Sequence, residues 1–213
     1  MINISESFST DIINVWNKYK DIYFAKNSPL TPISVVSKDL LFIGLNPSIR
    51  KNINIEEIKY KGVMDTYKVS HCNDKYFGKF YTISEGVGKT NNWTHFDLLF
   101  YRGSQAEVIN VIKDDENNGC SFIYEQLMIS KKILEGLNPK IIVICNKLAA
   151  ELTGYNKTKD KNGNEIRKWM DLPFEIGETS QTLNGIPVII AKQINRFYKD
   201  AELQRLIETI KHQ

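Results

Sequence analysis

The stretch Lys38–Ser48, Lys-Asp-Leu-Leu-Phe-Ile-Gly-Leu-Asn-Pro-Ser, constrains the fold of this chain more than any other. Leu40–Ile43 is a short apolar run that ends at Gly44, the pattern of a buried strand in a parallel sheet. Gly44 allows a sharp turn or the close approach of something bound. Asn46 presents a carboxamide just past the strand. Pro47 fixes the next backbone angle and biases Asn46 away from helical geometry. The same residues also fit a plain strand followed by an Asn-Pro turn.

Along the chain, residues 10–24 predict a helix with Thr10 as N-cap and Ile12, Trp16, Tyr19 and Tyr23 on one apolar face. The first strand follows at 39–44. Residues 46–72 show no clean period and read as a long loop with some helical turns. A second helix is predicted over 74–86, with Tyr76, Phe77, Phe80, Tyr81 and Ile83 on one side. Trp93–Tyr101 is a second strand, and Gly119–Leu137 a long helix that buries Ile123, Leu127, Ser130, Leu134 and Leu137. Asn138-Pro139 stops it. Lys140–Cys145 is the clearest strand; Asn146 then caps a short helix to Leu152 that Gly154 ends. Asn162-Gly163 marks a hairpin or loop within 155–182. Ile186–Lys192 is a fourth strand, and Asp200 caps a last helix to about Lys211, packed by Leu203, Leu206, Ile207 and Ile210. Strands alternating with helices imply an α/β fold with a largely parallel sheet. In such sheets ligands sit beyond the carboxyl ends of the strands. That rule gathers Asn46, Arg102, Asn146 and the 193–196 segment at one rim.

With 213 residues, 42% of them apolar and 25% charged, the chain suits a single soluble domain. Its apolar runs fall short of the roughly 20 residues a membrane span needs. The start, Met-Ile-Asn-Ile-Ser-Glu, lacks the basic-then-apolar order of a secretory signal. Cys72, Cys120 and Cys145 are scattered and cannot complete a four-cysteine metal site, so a reduced, cytoplasmic setting and no cofactor are expected. The net charge of +3 decides little about partners. Lys157, Lys159, Lys161, Arg167 and Lys168 form one local basic excess, which also fits a solvated hairpin.

Glu85-Gly86-Val87-Gly88-Lys89-Thr90 imitates a phosphate-binding loop. That pattern needs a glycine five residues before Gly88, and Ile83 stands there; it must also leave a strand and open a helix. A glycine-rich connection is the better reading. His71, His95 and His212 lack metal-ligand spacing. His95 and Asp97, two apart, can share one side of a strand, either as structure or as function.

Four segments in order resemble the uracil-DNA glycosylase superfamily, in its mismatch-specific and single-strand-selective branches. Gly44-Leu45-Asn46-Pro47-Ser48 resembles the first motif, Gly-x-Asn-Pro-Gly. Lys75-Tyr76-Phe77-Gly78-Lys79-Phe80 resembles the helix after the active-site loop. Phe96-Asp97-Leu98-Leu99-Phe100-Tyr101-Arg102-Gly103-Ser104 resembles the strand and turn that carry a polar base-facing residue. Asn138-Pro139-Lys140-Ile141-Ile142-Val143-Ile144-Cys145-Asn146-Lys147 resembles the Lys-Pro-x-Ile-x-Val-x-x-Gly-Lys segment. The second motif, a His-Pro-Ser or Pro-Ser-Ser turn, should lie near 191–196, where this chain has Ala-Lys-Gln-Ile-Asn-Arg.

The resemblance implies one domain over residues 1–213, a three-layer α/β/α fold around a central, largely parallel four-stranded sheet. It implies a monomeric DNA glycosylase of base excision repair, acting on a modified or mismatched base flipped out of DNA. Asn46 would be catalytic, orienting the attacking water. Gly44, Leu45, Tyr60, Phe77 and Asp97 would contact the base, with Tyr60 or Phe77 stacking on it unless they fill the core. An ionised Asp97 would favour a base edge that offers N–H donors; a protonated one could itself donate. Ser48, Lys192, Gln193, Asn195 and Arg196 would meet DNA, and Gln193 or Ile194 could wedge into the gap left by the flipped nucleotide. The altered second motif keeps a second reading open, a non-catalytic relative that binds nucleic acid or a nucleotide. A third is an unrelated α/β nucleotide-binding enzyme.

Overall fold

The computed structural model describes residues 1–47, 76–155, 169–175, 181–194 and 198–213, and the backbone alone of 59–60, 63–65, 158–159, 165–167 and 176. The chain is mixed α/β. In order, its strands and helices are β1 (Ile2–Asn3), α1 (Ile4–Ser7), α2 (Ser9–Lys18), β2 (Leu30–Thr31), β3 (Ser34–Val35), β4 (Leu40–Gly44), β5 (Lys59–Tyr60), β6 (Val63–Asp65), α3 (Phe77–Gly86), β7 (Trp93–Asp97) and α4 (Gln105–Ile112). There follow α5 (Gly119–Glu135), β8 (Ile141–Ile144), α6 (Lys147–Thr153), β9 (Thr158–Lys159), β10 (Glu165–Arg167), β11 (Phe174–Ile176), β12 (Gln181–Leu183), β13 (Ile186–Ile190) and α7 (Asp200–Lys211). Among the described residues no helix is long and apolar enough to cross a membrane.

Two compact units divide the chain. The first is Met1–Val36, Leu45–Val69 and Phe96–Leu137; the second is Ser37–Gly44, Ser70–His95 and Asn138–Gln213. The first unit is mainly helical. Ile12, Trp16 and Tyr19 are buried as the apolar spacing of α2 requires. The helix stops at Lys18, however, and Tyr23 is exposed. Its N-cap position is Phe8 rather than Thr10. Phe122 of α5 stacks on Phe24 at 4.7 Å and meets Trp16 and Tyr19 edge-on, so the core of this unit is aromatic. The 46–72 stretch supplies two strands, β5 and β6, which join β2 in the order β2-β6-β5.

The second unit is built on a sheet of order β11-β12-β13-β8-β4-β7, with Trp93–His95 of β7 belonging to that unit. β13, β8 and β4 are mutually parallel, in register from Leu40 beside Ile141 to Ile43 beside Ile144. The four strands expected from the sequence are therefore neighbours, but the sheet has six strands and is mixed. β11 and β12 add to β13 antiparallel. The reversal falls at Asn184-Gly185, both with positive φ (52° and 76°), the backbone of a tight hairpin turn. Asn162-Gly163 lies outside the described residues, between the antiparallel pair β9 and β10.

One face of this sheet carries Leu40, Phe42, Val143, Cys145, Ile189 and Ala191. Against them pack Phe77, Phe80 and Ile83 of α3 and Leu203, Leu206, Ile207 and Ile210 of α7. Each such side chain contributes about 2 kcal/mol on burial, enough to hold α7, whose other face is polar. Asp200 opens α7 as its first helical residue rather than its cap, where a carboxylate suits the helix dipole. Gly86, in the false phosphate-binding loop, lies inside α3 against Ile207, and the ammonium of Lys89 pairs with Asp39 at 2.7 Å.

Candidate functional site

β7 ends four residues earlier than the sequence suggests, and the cause lies in α5. Gln126 and Ser130, one turn apart and fully buried, face the segment that follows β7. Gln126 Oε1 accepts from the backbone N–H of Phe100 (3.0 Å) and of Tyr101 (2.9 Å). Ser130 Oγ donates to the carbonyl of Leu98 at 2.6 Å. Leu30 N–H donates to the carbonyl of Phe100, and Leu99 N–H to that of Leu45. Residues 98–101 thus spend their backbone groups on α5, β2 and the chain after β4, not on a sheet ladder. Ser104 and Glu107 then form a capping box that starts α4.

Asn46 sits against this segment. Its Nδ2 donates to the carbonyls of Gly103 (2.8 Å), Tyr101 (3.3 Å) and its neighbour Pro47 (3.4 Å). The Pro47 carbonyl in turn accepts from Gly103 N–H at 3.1 Å. Three carbonyls around one end of a carboxamide identify that end as the NH2. A flipped amide would set Oδ1 against three acceptors. Oδ1 therefore points away from the carbonyls, and no described residue donates to it. Asn46 is half-buried and Leu45 buried, so the carboxamide is ordered yet still reachable.

Asp97 closes β7 in the same unit. It keeps some exposed surface, but burial of its carboxyl raises its pKa to about 7. At neutral pH its protonated and ionised forms are comparably populated, so both roles foreseen for it are chemically open. Tyr60 belongs to this unit too, in β5, where the backbone alone is described; Ser48 lies outside the described residues.

In the second unit Gly44 ends β4 as a buried strand residue. The positive-φ glycines among the described residues are 88, 154 and 185, so Gly44 makes no sharp turn. Phe77 is a core residue. Its ring is buried edge-on to Tyr76, Phe80 and His95, which is the packing role. His95 is buried in the same aromatic group, stacked on Phe80 at 5.2 Å with the Tyr76 hydroxyl 3.3 Å from Nε2. Burial lowers its pKa to about 3, so it is a neutral structural ring at ordinary pH. Lys192 and Gln193 are exposed, Lys192 beside Glu202 at 3.3 Å. Ile194 is buried in the core, so it cannot be a wedge; Asn195 and Arg196 lie outside the described residues. Asn146 serves as the cap of α6, its Oδ1 accepting from Leu148 and Ala149 N–H.

No protein-family model matches this chain, and no curated protein is similar to it. Among the described residues no group of three or more histidine, cysteine or acidic side chains is placed to hold a metal.

Gln126 escaped the sequence reading. Its signal was a polar residue four positions before Ser130 on the inner face of α5. An amide on a buried face is there to satisfy something, and here that is the backbone beside Asn46.

Proposed function

We propose that this protein is a DNA glycosylase-like hydrolase that releases a modified or mismatched base, with Asn46 orienting the water. The observation that carries the reading is the carboxamide of Asn46, held by its NH2 end to three carbonyls with Oδ1 left to accept. A carboxamide is a poor base, so its value is orientation: a water donating to a fixed oxygen is aimed before the sugar carbon develops positive charge. In sequence Asn46 follows the carboxyl end of β4 by two residues, and open α/β sheets take ligands beyond the carboxyl ends of their strands. The ordered resemblance to the uracil-DNA glycosylase superfamily, with its three-layer, four-stranded core, gives the substrate class. Asp97 would face the base edge. With a pKa of about 7 it serves as donor below that pH and acceptor above it.

The stretch 191–194, without serine, histidine or proline and with Ile194 in the core, favours a second reading, a relative that binds nucleic acid without cutting it. Duplex and single-stranded oligonucleotides carrying uracil, hypoxanthine, xanthine or mismatched thymine separate the two. Alkali-labile abasic sites that form with the wild type, and at least a hundredfold more slowly with Asn46→Ala, are the expected result. Salt-dependent binding with no base release on any substrate supports the second reading.

A further inference from the structure

We infer that Gln126, assisted by Ser130, is a positioning residue that sets the orientation of Asn46 through the backbone between them. One oxygen of Gln126 gathers two successive N–H groups, those of Phe100 and Tyr101, while its Nε2 donates to the Phe122 carbonyl of its own helix at 3.1 Å. The side chain is fully buried and uses both ends of its amide, so it has one workable orientation. Ser130 holds the Leu98 carbonyl from the next turn. Together they draw residues 98–101 away from strand geometry. The carbonyls that come next, Tyr101 and Gly103, are the ones that grip Asn46 Nδ2. The buried face of a helix 17 residues long thereby fixes a side chain about 80 positions earlier in the sequence. The inference rests on the glycosylase reading for what the orientation serves, and not for the orientation itself.

Hydrogen exchange of the 213-residue chain by NMR tests it, with the Asn46 side-chain NH2 signals identified by their loss in Asn46→Ala. In Gln126→Met, which has similar length but no acceptor, exchange of the Asn46 NH2 should rise at least tenfold while the amides of β8 keep their protection. A folded Gln126→Met with Asn46 protection within threefold of wild type overturns the inference. Should Gln126→Met fail to fold, the wild type decides. The Asn46 NH2 should respond to added denaturant with the same slope as the Phe100 and Tyr101 amides, and a different slope overturns the proposal. On any substrate the wild type cleaves, Gln126→Met should lower kcat at least tenfold with KM within twofold. A panel without base release refutes the glycosylase reading and leaves the exchange result standing.

Discussion

Asn46 takes its orientation from residues far along the chain. Its place after a strand and before a proline marks it in the sequence. The three carbonyls that orient it come from its own neighbour and from a turn more than fifty positions away. Their sign gives a sharp expectation. Asn46→Ala removes the donor and should destabilise the fold by about 1 kcal/mol. Asn46→Asp sets a carboxylate against the same carbonyls and should cost more, about 2–3 kcal/mol at pH 7.5, since acceptors then face acceptors without a donor. Urea titration of both variants checks this. Equal costs would mean that the carbonyls do not hold Nδ2.

At the scale of elements, the join between α4 and α5 leaves less room beside its glycine, Gly119, than surrounds Gly103 or Gly136 of the same unit. A Cβ on Gly119 would lie 1.9 Å from the Val111 carbonyl oxygen and 2.9 Å from its carbon, both backbone atoms. Asn118 before it has φ of 54°, in the left-handed region. In Gly86 the added Cβ would instead meet the side chain of Ile207, at 2.7 Å from its Cδ1. Side chains yield where backbone does not. Gly119→Ala should therefore cost more than about 2 kcal/mol by denaturant titration, and Gly86→Ala less than Gly119→Ala; the reverse order would contradict the packing. The start of α4 is marked by Ser104-Gln105-Ala106-Glu107, the capping-box pattern, a local signal weaker than the apolar periodicity of its neighbours.

Across the whole molecule, two buried groups of β7 give opposite pH dependences. His95 is neutral in the fold down to about pH 3, whereas an unfolded chain takes up a proton near pH 6.5. Its contribution to stability is therefore present above pH 6.5 and lost as pH falls. Asp97 stays protonated in the fold up to about pH 7, whereas an unfolded carboxyl loses its proton near pH 4. Its contribution is present at low pH and lost as pH rises toward 7. Between about pH 5 and 6.5 the proton counts of these two groups cancel, so together they leave stability nearly unchanged. The carboxylates held low by their partners, Asp39 by Lys89 and Lys140 and Glu107 by Ser104, titrate below that window. Asp97→Asn should then gain stability with rising pH, by up to about 1.4 kcal/mol per unit, and His95→Gln should lose it at a similar rate. Denaturant midpoints at three pH values check both slopes. Parallel curves for the two variants would refute the assignment.

The sequence by itself determined the elements whose periodicity is decided locally. β4, β8, α3, α5 and α7 lie where apolar spacing puts them, and Asn146 and Gly154 bound α6 as cap and stop. These depend on contacts within a few residues or on one buried face, which a linear pattern records. Only the tertiary structure decided that β7 ends at Asp97, that the sheet has six strands, and that Phe77 and Ile194 are core. It alone also decided which end of Asn46 is tied down. Each of those turns on a partner far off in the chain: Gln126 competing for backbone that would otherwise pair, a hairpin folding back on β13, carbonyls meeting an amide. A sequence pattern carries no term for such distant competition, because the free energy that settles it exists only once the chain has closed on itself.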